Sequence, residues 1–264
     1  MKERSLALMI GNSRLHWAHF VGETLQEAWD TNHLPAGAKE PLSAISHLIP
    51  EASLPLRQIL QQSETQTGLP LYLASVVPDQ TKLWQTYPAA KIITLDDLPL
   101  SGLYPTLGID RALAVLGAGE TFGYPVLVID GGTALTFTGA DANKQLMGGA
   151  ILPGLGLQFQ SLAQRTAALP ATKLPQKLPQ RWSKDTPTAI ESGVVYTVLA
   201  GIRDFILDWR CLFPDSQIAL TGGDSGVLMS YIQVQFPEIA PQLMSDRHLI
   251  FWGIRSVKTL GKFE

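Results

Sequence analysis

The chain has 264 residues, 45% of them hydrophobic and 16% charged, with a formal net charge of −3 and a pI near 6.0. This composition belongs to a globular protein of one large domain or two ordinary ones and excludes a disordered chain. The weak negative charge and the absence of a basic arm exclude a general attraction to nucleic acid or an anionic membrane, so any phosphate must be bound by a local site.

The single cysteine, Cys211, cannot close an internal disulfide, which points to a reducing, cytoplasmic setting. It is read as a small buried or partly buried hydrophobe and not as a nucleophile, because no base points to it. Lys2 and Arg4 precede an apolar run that stops at Gly11-Asn12, too short for a signal-peptide core or a membrane span. A soluble, unprocessed chain is expected.

Leu6 to Ile10 predicts a strand, Gly11-Asn12-Ser13-Arg14 a turn, and the residues after it a returning strand. His16 and His19 lie on that second strand. A spacing of three puts them on opposite faces, so they form no metal-ligand pair and read as ordinary strand residues. Pro41 to Ile49 has helical spacing with Ser43 near its start, Leu71 to Val77 reads as a strand, and Asp79 to Trp84 as a helix. Ala90 to Leu95 reads as a strand ahead of a loop from Asp96 to Thr106. Strands alternating with helices make this an α/β unit.

The loop ends in Tyr104-Pro-Thr-Leu-Gly108-Ile109-Asp110-Arg111, and Ala112, Val115, Leu116 and Gly119 then mark one face of a helix. Asp110 falls at the N-cap or in the first turn, where capping alone would explain an acid. Arg111 asks for more. A cation in the first turn opposes the helix dipole, and it becomes reasonable if an anionic ligand is shared by the guanidinium and the helix N–H groups. Asp110 beside it could take a proton from a substrate hydroxyl.

Val126 to Ile129 predicts a strand covered on both faces, ending in Asp130, a carboxylate that is costly to bury unless a cation or donors meet it. Gly131 and Gly132 expose bare N–H groups to an anion. The alternation of Leu135 and Phe137 with Thr136 and Thr138 continues as a returning strand. Laid beside the N-terminal segment, this stretch puts Gly132 on Gly11, Thr133 on Asn12 and Asp130 on Met9. Two related halves are expected, the first without the carboxylate of the second.

Met147 to Gly156 reads as a strand edge and a glycine turn, followed by a helix to about Arg165. Thr166 to Thr188 holds the tandem Lys173-Leu-Pro-Gln176 and Lys177-Leu-Pro-Gln180, an extended surface loop able to act as a mobile flap. A long helix to about Trp209 has Pro187 in its first turn and Thr186 as its cap or as a ligand contact. Ile218 to Thr221 is a strand ending in Gly222-Gly223-Asp224, where a nucleotide base or ribose commonly lies. His248 to Trp252 reads as one more short strand.

None of the glycine turns is a Walker A or a dinucleotide fingerprint. Together they are more specific than any one of them. The set resembles the type III pantothenate kinases, of the actin, sugar kinase and Hsp70-like superfamily, from Leu6 to about Arg255. The matching segments are Ile10-Gly11-Asn12-Ser13, Gly108-Ile109-Asp110-Arg111, Asp130-Gly131-Gly132-Thr133-Ala134, Gly148-Gly149-Ala150-Ile151-Leu152-Pro153-Gly154, Thr186 with Ala189 and Gly193, and Thr221-Gly222-Gly223-Asp224. The resemblance implies an α/β fold of two ribonuclease H-like domains in tandem with the nucleotide in the cleft between them. Residues 1–116 would carry the first phosphate motif and the substrate motif. Residues 117–264 would carry the second phosphate motif and the adenosine turn.

The resemblance further implies phosphorylation of pantothenate by ATP, the first committed step toward coenzyme A, with Mg2+ and a monovalent cation, K+ or NH4+. Asp110 would be the general base. Tyr104, Gly108, Ile109, Arg111 and Thr186 would shape the pantothenate pocket with it, Arg111 meeting the pantothenate carboxylate. Met9, Ile10, Gly11, Asn12, Ser13 and Arg14 would line ATP from the first motif, Gly132 and Thr133 from the second, and Gly222 and Gly223 from the adenosine side. Asp130 would serve the monovalent cation. A homodimer is implied, with the substrate pocket near its interface.

One departure stands out. The family opens its first phosphate motif with an aspartate, where this chain has Met9, and a thioether is a poor ligand for magnesium. Either other groups or the metal's own waters cover the loss, or the chain is a weakened relative that binds ligands for regulation. A kinase of another small hydroxyl or carboxylate substrate on the same fold is a third reading.

Overall fold

The structure is a computed structural model that describes residues 3–35 and 68–261. The helix expected over Pro41 to Ile49 lies outside the described residues. Two compact units are present: Met1–Pro99 with Tyr104–Leu113 and Ile250–Glu264, and Leu100–Leu103 with Ala114–Leu249.

The first unit is built on strands β1 (Arg4–Ile10), β2 (Leu15–Val21), β3 (Thr24–Thr31), β4 (Leu71–Ser75) and β5 (Ala90–Ile92), in the sheet order β3-β2-β1-β4-β5. The first three form an antiparallel meander, and β4 and β5 add on in parallel. Helix α1 (Pro78–Trp84) supplies the crossover before β5. Leu6, Leu8 and Ile10 alternate into a core with Trp17, Leu73 and Trp84, where the Trp17 and Trp84 rings meet edge to face at 5.0 Å. Ala7 and Met9, on the other face, are also buried, so β1 is covered on both sides as its apolar run predicts.

In the second unit β6 (Val126–Gly131), β7 (Ala134–Ala140), β8 (Leu146–Pro153), β9 (Gln217–Thr221) and β10 (Leu243–Ser245) are ordered β10-β9-β6-β7-β8. They repeat the same meander followed by two parallel additions. The register seen between the two glycine turns in the sequence is therefore matched by a common sheet connectivity. Helices α2 (Ile109–Phe122), α3 (Leu155–Arg165), α4 (Thr186–Leu212), α5 (Ser225–Gln235) and α6 (Leu249–Thr259) are the other α-helices among the described residues. In α4, Val198, Ile202 and Ile206 recur at helical spacing and pack with Leu127, Ile129 and Phe137 of the sheet.

Four local expectations are corrected. His248 to Trp252 is not a strand but most of the first half of α6. The four apolar residues Leu249 to Trp252 suit either element, and Leu249, Ile254 and Val257, all buried, set the helical period. The parallel strand there is β10, three residues earlier than that run. The expected strand Ala90 to Leu95 stops at Ile92, because Thr94 and Asp97 close a capping box around a 3₁₀ turn, with Thr94 N–H donating to Asp97 Oδ2 at 2.8 Å. Cys211 lies exposed in the last turn of α4, not buried. The segment from Thr166 to Asp185 has no helix or strand, as expected, but it is tied down. It packs Leu169, Leu174 and Leu178 against the core, and the hydroxyls of Tyr231 and Tyr196 donate to the carbonyls of Pro175 and Pro179.

Helix α6 shows why residues 250–264 join the first unit although the expected division left all of 117–264 together. Its Lys258 ammonium meets Ser5 Oγ at 3.0 Å and Glu3 at 3.3 Å, and its Trp252 ring packs edge-on against Phe20. No helix among the described residues is long and apolar enough to cross a membrane.

Candidate active site

The second glycine turn is built where β6 hands over to β7. Gly132 N–H donates to the carbonyl of Ala134 at 3.0 Å, and Gly154 N–H donates to the carbonyl of Thr133 at 2.9 Å, so the turn is held by the strand ends around it. Thr133 is exposed at its tip. Asp224 N–H donates to the carbonyl of Gly131 at 2.8 Å, which joins the turn after β9 to the turn after β6. Gly222 is obligatory in this joint. Its φ is +89°, and a Cβ there would stand 2.3 Å from Asp130 Oδ1 and 2.4 Å from the carbonyl of Gly131. Asp130, Gly132, Thr133, Gly222 and Gly223 are thus brought together.

Asp130 is half-buried and shares its row of the sheet with Thr136 of β7 and Thr221 of β9. Its carboxylate therefore has hydroxyl-bearing residues on both neighbouring strands and the joined turns beside it, all oxygen-bearing groups. That chemistry fits a hard cation. Among the described residues no three His, Cys, Asp or Glu side chains cluster closely enough to hold a metal ion. Asp224, at the N-cap of α5, makes no capping bond with its side chain, and burial pushes its carboxyl above the usual carboxylate range. That half-burial has no local signal in the sequence.

The Gly108-Ile109-Asp110-Arg111 segment forms the first turn of α2. The carboxylate of Asp110 accepts the backbone N–H of Arg111 at 2.8 Å, and Arg111 Nη1 donates to the Tyr104 hydroxyl at 3.1 Å. Arg111 is only 7% exposed, whereas Tyr104 is 40% exposed. A buried guanidinium that ends at an exposed tyrosine has the chemistry to meet an anion. Gly108 and Ile109 complete the turn, and Ile109 is buried under it. Tyr104, Gly108, Ile109, Asp110 and Arg111 are therefore contiguous in space.

The first glycine turn closes with Gly11 N–H donating to the carbonyl of Arg14 at 3.0 Å. Ile10 and Met9 are buried, while Asn12, Ser13 and Arg14 are exposed. The turn has partners that the sequence did not announce. His33 Nε2 lies 2.8 Å from the carbonyl of Gly11, and His16 Nδ1 lies 2.8 Å from Asp30 Oδ1. Both pairs join residues far apart in sequence, so only the strand register could have revealed them. His16 and His19 do lie on β2 as expected, His19 buried and His16 accessible.

Thr186 lies with Ala189 and Gly193 along a groove of about 730 Å3 on the second unit. It does not cap α4. The cap is Asp185, which accepts the N–H of Thr188 at 3.0 Å and its hydroxyl at 2.7 Å, and these bonds hold the Asp185 carboxyl below the usual range. Thr186 is the first helical residue, which leaves its side chain exposed.

The model of the family described as type III pantothenate kinase matches residues 5–208. The chain belongs to that family. A type III pantothenate kinase from a Nostoc species is 50% identical over 96% of this chain and 93% of its own length. One from a Synechocystis species is 46% identical over 96% and 89%. Among solved structures, a Baf family protein described as a transcriptional activator from Campylobacter jejuni superposes with a TM-score of 0.59 at 18% identity, covering 97% of this chain and 98% of that one. The activator of 2-hydroxyisocaproyl-CoA dehydratase from Clostridium difficile and MreB5 of Spiroplasma citri each reach 0.51, at 9% and 10% identity, over 98% of this chain and 97% and 98% of theirs. At such identities the likeness concerns the fold alone. It is that of the actin, sugar kinase and Hsp70-like proteins, with two ribonuclease H-like α/β domains in tandem, and the repeated five-stranded sheets of this type III pantothenate kinase conform to it.

Proposed function

We propose that this type III pantothenate kinase transfers the terminal phosphoryl group of ATP to the hydroxyl of pantothenate, giving 4'-phosphopantothenate and ADP. The observation that carries the reading is the first turn of α2, where the Asp110 carboxylate is pinned by the Arg111 N–H beside the buried Arg111 guanidinium. Arg111, steadied by Tyr104, takes the pantothenate carboxylate. Asp110 accepts the proton of the hydroxyl as its oxygen attacks the terminal phosphorus and the bond to the ADP oxygen breaks. Phosphoryl transfer asks the protein mainly for positioning and charge stabilisation, and tight glycine turns at strand ends let a phosphate approach the backbone closely.

The Gly11–Arg14 turn and the Gly132–Thr133 turn line the ATP phosphates, and Gly222 and Gly223 back the adenosine. Asp130 faces a monovalent cation, K+ or NH4+, for which its oxygen-rich surroundings are suited. A divalent ion, Mg2+ in this reading, neutralises phosphate charge when bound. With Met9 in place of an acid, it relies on phosphate and water oxygens at the first turn. Thr186 contacts pantothenate in a homodimer, and the reaction is cytoplasmic. The test is ADP release by purified protein with ATP, magnesium, potassium and pantothenate. Release that requires pantothenate is expected; none at high enzyme concentration would overturn the reading.

A further inference from the structure

At the level of Met9 a row of paired residues crosses the first sheet: Ala74 on β4, Met9 on β1, His16 on β2 and Asp30 on β3. Paired residues in neighbouring strands share a face. In the second sheet the matching row holds Thr221, Asp130 and Thr136. The half that carries a carboxylate on its first strand therefore has hydroxyls beside it. The half that carries a thioether there has an imidazole beside it and a carboxylate one strand further out.

The imidazole is aimed. Asp30 Oδ1 holds His16 Nδ1 at 2.8 Å, and a Cβ built on Gly11 would stand 3.2 Å from His16 Nε2, so the far nitrogen lies against the glycine of the first phosphate turn. With the His16 and Asp30 side chains 41% and 44% exposed, the pair adds little to stability as a surface ion pair. Its geometry does fix the ring: the carboxylate takes the Nδ1 hydrogen and leaves Nε2 at the turn.

We propose that His16, oriented by Asp30, contacts the phosphates of a nucleotide bound at the Gly11–Arg14 turn through Nε2–H, taking up a proton as the ligand binds. Both ring nitrogens must carry hydrogen to serve the carboxylate and a phosphate together. Asp30 on β3 meets the ring and His33 meets the carbonyl of Gly11, while Met9 and Ala74 in the same row carry no charge. In this arrangement a cation on β2 does at the phosphates part of what an acid with its metal would do from β1. The inference rests on the reading of the protein as an ATP-dependent kinase.

Titration calorimetry of ADP binding in two buffers of different ionisation enthalpy tests it. Wild type is expected to take up part of a proton on binding. His16→Gln should abolish the uptake, and His16→Ala should weaken binding about tenfold, the size of one charge-assisted hydrogen bond. Asp30→Asn should weaken binding less, and the double variant His16→Ala/Asp30→Asn no more than His16→Ala alone, because Asp30 acts only through the ring. Wild-type binding with unchanged affinity and proton uptake in both His16 variants would overturn the inference and leave the kinase reading standing. Failure of the wild type to bind ADP or ATP would overturn the kinase reading itself. Unfolding midpoints without nucleotide should match wild type, since a purely structural role would move them.

Discussion

The carboxylate of Asp110 occupies the space beside the α-carbon of Gly108: a methyl group on Gly108 would stand 2.4 Å from Asp110 Oδ1. The side chain read as the base can hold its bond to the Arg111 N–H only while residue 108 is a glycine. Gly108→Ala is therefore expected to lower kcat by about tenfold or more with the fold intact, since a displacement of around 1 Å costs that much or more in positioning. Asp110→Asn, which keeps the shape and removes the base, should lower kcat by about 10²-fold or more. Steady-state ADP release with circular dichroism of both variants checks the pair. Retained turnover in Asp110→Asn would mean that the base lies elsewhere.

Gly222→Ala combines an unfavourable φ of +89° with contacts on Asp130 and the carbonyl of Gly131. A loss of at least about 1 kcal/mol in unfolding free energy is expected from the backbone alone. Because the same residue clamps the joint between two turns, nucleotide affinity should fall as well. Urea unfolding and nucleotide titration would check the two effects separately.

Met9 is 1% exposed, so Met9→Asp buries a carboxylate on a strand covered from both sides. Without ligand the variant should lose on the order of 2 kcal/mol of stability. With ATP and magnesium it should turn over faster than wild type, because the ion gains an oxygen ligand. Unfolding midpoints with and without Mg-ATP, together with kcat, would test this. Unchanged kcat would show that the first turn is organised without a metal ligand at this position.

Asp185→Ala removes the cap of α4. The folded carboxyl titrates below its unfolded value because the Thr188 hydroxyl and N–H donate to it. Its contribution is therefore present above the ordinary carboxylate range and fades as pH falls through the folded value. Wild type should be the more stable at neutral pH, and the difference should vanish in strong acid. A difference that persists there would assign the effect to helix propensity and not to the charge.

The sequence by itself determined the strands that end in glycine turns, the helix opened by Asp110 and Arg111, the match between the two halves and the family. Each of these is a local pattern: a period, a turn residue, a run of side chains that must be buried. What only the tertiary structure decided involves partners far apart in the chain. His248 to Trp252 could not be told from a strand until α6 packed on β1 through Lys258 and on β2 through Trp252. The bond that caps α4 went to Asp185 and not Thr186, because the choice depends on where the chain arriving from the anchored segment turns into the helix. His16 looked ordinary on its strand, and its bond to Asp30, fourteen residues away, exists because the register of β2 on β3 sets them side by side next to Gly11.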